Sequence, residues 1–302
     1  DRYEILLIDG NSNDNTVEIA KNTVRSYCEN NGNRSFNIKF LENPRQILAA
    51  GWNIGIKNSK GQYVVRIDAH SFVPPDYISK CVAVMLKVKD AVCVGGVINS
   101  DTIGEKGKAV SYVLSSPFGI GNSKFRNPPT KLVESDTSGF GVFRRPELAK
   151  YEFNTNLQRN QDIELIKRIR SDGWKLYINP EMHVRYETRN TLFKLLCKGF
   201  NDGFWIPFSG GYLRHWIPFC FLAYLVIVAV VVSAIAFCEA PSWGYCVCLP
   251  LVAYAMLALM FAIKDGSTLI SKLVLPLLFF AYHLSYGLGT FCGCVKKIVS
   301  GS

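Results

Sequence analysis

The chain has 302 residues, room for one or two domains, a net charge of +10 and a hydrophobic fraction of 49% that is concentrated toward its C-terminal end. The soluble part holds no lysine block and no aromatic-basic motif of the kind that binds nucleic acid, so no nucleic-acid partner is expected despite the basic balance. Ten cysteines form no Cys-x-x-Cys pair and no zinc spacing, which excludes a zinc scaffold and reads as reduced, cytosolic thiols.

The apolar run 5–8 predicts a strand ending at Asp9, followed by Gly10-Asn11-Ser12-Asn13-Asp14-Asn15-Thr16. Val17, Ala20, Val24 and Tyr27 then recur at helical spacing, with Asn15 and Glu18 offering a capping box. A short strand over 37–40 and a helix over 49–57 come next. The run Val64-Val65-Arg66-Ile67-Asp68-Ala69-His70 repeats the layout of an apolar strand that ends in a carboxylate. Two such strands build a polar crevice on the lip of a sheet, where α/β proteins bind ligands. On a regular strand Asp68 and His70 share a face, so both would reach one divalent metal. Nucleotide plus metal is the reading of these two segments by themselves.

Pro74-Pro75 interrupts regular structure after that strand, a helix is expected over 77–88, and a third apolar strand over 91–97. This alternation argues for a mostly parallel α/β sheet. The stretch 110–131, rich in Gly, Ser, Pro and Asn, reads as a loop over the sheet edge. A helix over 162–170 carries the stripe Ile163, Ile166, Ile169 and the i,i+4 pair Glu164–Arg168, with a stop at Gly173 before a strand over 175–178. Residues 192–204 mix basic and large apolar side chains and predict an amphipathic helix on a membrane surface.

Three apolar stretches complete the chain, 216–238, 243–263 and 273–295, each near the ~20 residues that span a bilayer. No segment reads as a signal peptide. From residue 190 on, seven Lys/Arg stand against three Asp/Glu, which favours anionic headgroups and the cytoplasmic side. Three crossings would put the connection 239–242, which lacks Lys and Arg, outside and Lys264 and Lys272 inside. They would also put Lys296 and Lys297 outside, against the positive-inside bias. Three full spans with an external C-terminus are expected from the length of the last stretch; Gly287, Gly289 and Gly293 would let it pack tightly against another helix or, as the alternative, bend and re-enter without crossing. The expected domains are 1–190, α/β; 191–215, an interfacial segment; and 216–302, a transmembrane region of about three helices.

Five segments in order carry a resemblance. Asp9 to Thr16 resembles the Asp-Asp-Gly-Ser-x-Asp-x-Thr signature of family 2 glycosyltransferases with the GT-A fold, with Gly10 in place of the second Asp. The 43–56 segment (Asn-Pro-Arg-Gln-Ile-Leu-Ala-Ala-Gly-Trp-Asn-Ile-Gly-Ile) is similar to the one before their metal motif, and Asp68-Ala69-His70 sits where they have Asp-x-Asp. Gly139-Phe140-Gly141 with Arg144-Arg145 resembles their acceptor-side loop. Asn160-Gln161-Asp162 resembles the segment of the catalytic base, with Gln161 where many relatives have Glu. The match covers residues 1 to about 190 and looks most like the succinoglycan and exopolysaccharide branch. The family's opening strand, ending in Pro-x-x-Asn-Glu, has no counterpart here, which implies a fragment or an incomplete site.

The resemblance implies a mixed sheet with helices on both faces, followed by the membrane helices, and an inverting transfer from a nucleotide diphosphate sugar, UDP-linked by expectation. The acceptor would be lipid-linked or a polysaccharide at the cytoplasmic face of the cell membrane, in contact with membrane lipids. Asp9, Arg45 and Asp68 would bind the nucleotide-sugar, and Asp68 with His70 would hold Mn²⁺ or Mg²⁺. Asp162 would be the catalytic base, and Asp136, Gly139 and Arg144 would line the acceptor side. Arg185, Arg189, His183 and Glu187 are further phosphate or metal candidates. Each has a bland counterpart: Asp9 as a loop-capping carboxylate, Asp162 as a helix N-terminal acid, His70 as a hydrogen-bonded loop residue, the arginines as surface solvation. The Gln-x-x-Arg-Trp motif of processive synthases is absent, so addition of single sugars is expected. The alternative is an inert membrane scaffold, which turnover of a nucleotide-sugar would exclude.

Overall fold

The computed structural model describes residues 3–30, 37–101, 104–121, 123–187, 191–238 and 241–301. The N-terminal part opens with β1 (Glu4–Asp9), α1 (Thr16–Asn30), β2 (Asn37–Glu42), α2 (Leu48–Asn58), β3 (Tyr63–Val65) and β4 (Ser71–Phe72). It continues with α3 (Tyr77–Lys87), β5 (Ala91–Asp101), α4 (Gly104–Ser115), α5 (Pro117–Ile120), β6 (Val133–Ser135) and β7 (Gly139–Arg144). The domain closes with α6 (Arg145–Leu148), α7 (Gln161–Ser171) and β8 (Lys175–Glu187). Then come α8 (Leu192–Phe204), α9 (Ile206–Ser209), a 3-10 turn (Leu213–Trp216), α10 (Ile217–Cys238), a second 3-10 segment (Ser242–Cys248), α11 (Leu249–Asp265) and α12 (Leu269–Ser300).

The main sheet runs β3-β7-β5-β8-β4 with β6 also on β8, while β1 and β2 pair separately. Among the described strands, β1–β2 and β5–β8 are parallel and the other pairs antiparallel. The mostly parallel sheet expected from alternation is therefore corrected to a mixed one. Alternation dictates parallel neighbours only when consecutive strands lie side by side, and here β7 comes from later in the chain to lie between β3 and β5. Helices cover both faces. Cys93 and Phe143 pack toward α2 and α7 with Ala49, Leu165, Ile166 and Ile169, while Val94 and Val142 face α3 with Tyr77, Cys81 and Met85.

The 110–131 segment is likewise not a loop throughout, because α4 and α5 occupy its first part. Ala109, Val110, Val113 and Leu114 form an apolar stripe buried under α11 and α12. That partner lies far away in sequence, so composition alone made the segment read as a loop.

Register decides which end of the sheet gathers polar groups. Glu4 Oε1 accepts from the Lys60 amide and from the Gly61 amide at 2.9 Å, so β1 starts beside the approach to β3. At the other end the Asn43 amide donates to Asp9 O at 2.7 Å. Val65 pairs with Val142 of antiparallel β7, so the chain past Val65 heads toward Gly139. Gly96 of β5 pairs with Gly139, and Ser71 of β4 with Tyr186 near the end of β8. Asp9, residues 66–70, Gly139 and Tyr186 thus share one edge.

Among the described residues three helices are long and apolar enough to cross a membrane: Leu213–Phe237, Trp243–Asp265 and Leu269–Ser300. The predicted amphipathic helix, α8, packs along α12 through two Gly-x-x-x-Gly runs, 199–203 and 289–293. A Cβ on Gly203 would collide with the Tyr286 carbonyl, one on Gly289 with that of Phe200, and one on Gly293 with that of Phe204. Backbones approach this closely only where side chains are missing. Gly203→Val and Gly289→Val should each cost ~1–3 kcal/mol of overpacking, read as a lowered thermal midpoint in detergent. Gly10→Ala, whose Cβ meets nothing within 4 Å, is the matched control.

Candidate active site

At the end of β1 the Asp9 carboxylate accepts from the Ser12 hydroxyl at 2.6 Å and the Ser12 amide at 2.9 Å. These bonds, the hydroxyl's foremost, hold its pKa below the ordinary carboxylate value, so Asp9 is an anion at neutral pH. Asp14, not Asp9, prepares α1, accepting from the Thr16 amide at 3.0 Å.

The 43–56 segment is the hub of the edge. Asn43 Nδ2 donates to Ile47 O at 2.9 Å, and Gly51 and Gly55 let α2 lie against Ile8 of β1. From α2, Trp52 stacks on Phe153 (centroids 5.1 Å, 24°) and carries the Arg66 guanidinium 5.5 Å above its ring. The Asn53 amide exchanges two hydrogen bonds with the Phe153 backbone, at 2.9 and 2.8 Å. Arg45 Nη1 donates to Thr155 Oγ1 at 2.8 Å. One helix therefore ties the end of β1, the Arg66–Asp68 segment and the approach to α7 together.

The strand expected to carry Asp68 and His70 ends at Val65. The chain leaves the sheet there, and the Ser71 amide closes a turn on Asp68 O at 2.9 Å. Asp68 and His70 thus do not share a strand face; they flank Ala69 within a turn. Arg66, which sequence reasoning passed over although it stands two residues before Asp68, grips both carboxylate oxygens, at 2.8 and 3.1 Å. The His70 ring packs edge-on against Tyr186 at 4.6 Å. No group of three or more His, Cys, Asp or Glu that could hold a metal is found among the described residues. The donor set still fits a divalent cation at a nucleotide site, because such ions take one or two protein ligands and the rest from phosphate and water. Asp68 keeps 22% of its side chain open to exchange Arg66 for such an ion.

At the head of α7, Asp162 is exposed and accepts from the Ile163 amide at 2.9 Å. Glu164 is held at both oxygens by Arg168, at 2.7 and 2.9 Å. Gln161 is buried, and its Oε1 has no hydrogen-bond partner. Asn160 Nδ2 donates to Asp202 O at 2.9 Å and so fixes α8 beside this helix start. Gly173 (φ +89°) reverses the chain into β8, which returns Asp162 toward the edge where β8 finishes.

On the acceptor side Asp136 is ion-paired with Arg214, and Tyr212 Oη donates to Asp136 O at 3.2 Å. Phe140 holds φ +52°. Its carbonyl accepts from buried Tyr77 Oη at 2.9 Å, and that oxygen accepts from the Gly96 amide at 3.0 Å. Burial pushes the Tyr77 hydroxyl pKa well up, so it remains a donor at every working pH. Tyr77 is a support that no sequence motif announced. Arg144 does not join Asp136 and Gly139. It lies at the far end of β7, with Nε donating to Ala91 O at 2.8 Å and Nη2 to Met85 O, so its guanidinium is a main-chain anchor. Arg185 lies 5.8 Å from the Phe72 ring, and His183 is exposed in register with Val97. Glu187 pairs with Asp101 through the backbone. Arg189 lies outside the described residues.

The non-glycine residues with positive φ among the described residues are Asn11, Gln46, Phe140 and Asn160. Each lies in one of the five segments singled out in the sequence. Asparagine enters this region readily, whereas Gln46 and Phe140 do so at a cost that the surrounding structure must hold.

The family described as Glycosyl transferase family 2 matches residues 1–151. The chain is 25% identical over 306 residues to a protein of Methanococcus voltae, covering 98% of this chain and 88% of that one. That protein is named dolichyl N-acetyl-alpha-D-glucosaminyl phosphate 3-beta-D-2,3-diacetamido-2,3-dideoxy-beta-D-glucuronosyltransferase. The chain is also 26% identical over 208 residues to the succinoglycan biosynthesis protein ExoA of Rhizobium meliloti (strain 1021), covering 66% of this chain and 58% of that one. Among solved structures it resembles the mannosyltransferase PcManGT of Pyrobaculum calidifontis in complex with GDP-Man and Mn²⁺, with a TM-score of 0.59 at 16% identity, covering 99% and 79% of the two chains. That likeness bears on the fold, which is GT-A-like.

Proposed function

The chain belongs to glycosyl transferase family 2, and from that premise we propose that it moves a sugar, with inversion, from a nucleotide diphosphate donor to a lipid-linked or polysaccharide acceptor at the cytoplasmic face of a membrane. The observation that carries this reading is the placing of Asp9, Asp68 and Gly139 on one sheet edge, with left-handed backbone in four of the five segments. A UDP-linked sugar is our choice of donor. A lipid-linked acceptor gains support from the Methanococcus voltae relative, whose name specifies a dolichyl phosphate-linked sugar.

In this reading Asp9, held as an anion by Ser12, accepts a hydrogen bond from the nucleobase. Arg45, near Thr155 on the approach to α7, pairs with the diphosphate. Asp68 and His70 would hold Mn²⁺ or Mg²⁺, which when bound offsets charge growing on the leaving diphosphate. Asp162 takes the proton of the acceptor hydroxyl as that oxygen attacks the anomeric carbon. One base suffices for inversion, in contrast to the carboxylate pair of a glycosidase. Asp136, ion-paired with Arg214, and the Gly139 approach line the acceptor entry, next to the segment that leads into the membrane helices. Arg144 has no part in it, being used inside the domain.

A donor screen on membranes carrying the protein tests the reading. Release of nucleoside diphosphate from one or a few nucleotide-sugars, dependent on an added lipid-linked or polysaccharide acceptor, is the expected result. No release from any donor would leave the inert scaffold standing.

A further inference from the structure

We propose that α12 does not cross the bilayer but lies along its catalytic side, and that it forms with α8 an in-plane platform whose outer face sits at the headgroup–acyl boundary. The proposal rests on the membrane attachment read above. Its basis is that α12, besides packing on the start of α10 and the last turns of α11, touches helices of the sheet domain along its whole length. In its first half, Leu275, Leu278, Phe279 and Tyr282 are buried with Ala109, Val110, Val113 and Leu114 of α4. His283 Nε2 lies 3.0 Å from Phe118 O of α5, and Phe118 packs on Phe279 at 5.2 Å. In its second half, Ser285 Oγ donates to Leu196 O at 2.7 Å, Gly289 and Gly293 lie against the Phe200 and Phe204 carbonyls, and Lys297 Nζ donates to Pro207 O at 2.7 Å.

Those partners are all fixed to the sheet domain. The stretch after α5 is bound to β5 through Ile98 N and Phe125 O at 2.7 Å. The α8–α9 pair is held by Asn160 to Asp202 O and by Lys167 to Gly210 O. A helix leaving for the far leaflet would be in contact with the domain at one end; α12 is in contact at both. Its 32 residues make ~48 Å of helix, well beyond the ~30 Å hydrocarbon core.

The side turned away from the domain exposes apolar residues toward both ends, and α10 covers its middle at Phe280 and Gly287. Ile270, Leu273 and Leu277, and then Leu288, Phe291, Val295 and Ile298, are exposed at three- and four-residue spacing within each run, and the step of eleven residues between the runs, about three helical turns, brings both onto one helix face. Lys264 stands just before α12, Lys272 in its first turns and Lys296 near its end, with Lys194 exposed at the start of α8, whereas Lys297 and Lys198 are engaged by Pro207 O and Asp202. Such a face between cations suits an anionic lipid surface. The placement also removes the conflict with the positive-inside bias that a third crossing creates. The α10–α11 hairpin remains as the crossing unit, with α10 exposing Val226, Ile227, Val230 and Phe237 and meeting α12 near its own start, at Pro218 and Phe221.

Nitroxide labels at Ile270, Leu277, Leu288 and Val295 of the full chain, in a cysteine-depleted background and in phosphatidylethanolamine/phosphatidylglycerol vesicles, test this by collision with oxygen against a water-soluble nickel complex. Similar shallow depths at all four support the proposal. A middle ~15 Å deeper than the ends, as a spanning helix requires, overturns it. A label at Val230 should lie near the bilayer centre; if it reports water, the membrane reading itself fails and the proposal with it. Independently, Ser300→Cys should resist an impermeant maleimide in intact cells and react once the membrane is opened, while Pro241→Cys reacts in intact cells. Reaction of Ser300→Cys in intact cells would overturn the in-plane assignment and leave α10–α11 untouched.

Discussion

Asp162→Asn is expected to lower turnover by ~10²–10⁴-fold, the usual contribution of a general base, while donor binding stays nearly intact. The base acts on the acceptor proton, so its loss falls on the chemical step. Asparagine keeps an oxygen that can accept from the Ile163 amide, as Asp162 does at 2.9 Å, so the start of α7 should survive. The only other loss is a negative charge at a helix N-terminus, worth ~0.3–1 kcal/mol and far too small to imitate a missing base. Donor titration calorimetry beside nucleoside diphosphate release separates the two effects. Near-normal turnover in the variant would move the base elsewhere, with Asp136 the next candidate. Loss of donor binding in step with turnover would make Asp162 a support of the donor pocket instead.

How much of this was readable from the chain depends on whether each feature is decided locally. The helix at 192–204 was, because its apolar and basic residues recur at helical spacing and Thr191 caps it, accepting from the Lys194 amide at 3.3 Å. The helix of Asp162 was also readable, from the Ile163, Ile166 and Ile169 stripe and the Gly173 stop. The sheet order was not, since β7 reaches its place between β3 and β5 through pairings that no local pattern encodes. Nor was the early end of β3. Val64 to Ile67 reads as continuous strand, but Arg66 stacks on Trp52 and turns back to grip Asp68, and the chain leaves the sheet. The same holds for α12. Its composition says that it can span a bilayer, whereas Gly289 and Gly293, buried against α8, and Gly287, buried against α10, say what it packs on. Local chemistry revealed the motifs, and only the long-range contacts revealed which of them meet.

Asp68→Ala should abolish both turnover and the response to added Mn²⁺ or Mg²⁺, and excess EDTA should silence the unaltered enzyme. The donor's diphosphate is anionic and becomes more so as the sugar leaves, so a site without a cation would have to balance that charge with its own side chains. Asp68 is held by Arg66, which gives a rival account of any defect: the substitution could free Arg66 and loosen the Trp52–Phe153 stack beneath it. Arg66→Gln separates the two. If Asp68 acts only by holding Arg66, Arg66→Gln reproduces the whole loss. If Asp68 is the metal ligand, Arg66→Gln keeps a metal-dependent activity while Asp68→Ala has none. His70→Asp refines the assignment, because exchanging imidazole for a harder carboxylate should narrow any preference for Mn²⁺ over Mg²⁺. Full activity of the unaltered enzyme in excess EDTA would refute the metal assignment outright. Arg66, on exchanging Asp68 for the diphosphate, would then join Arg45 as a cation on this edge.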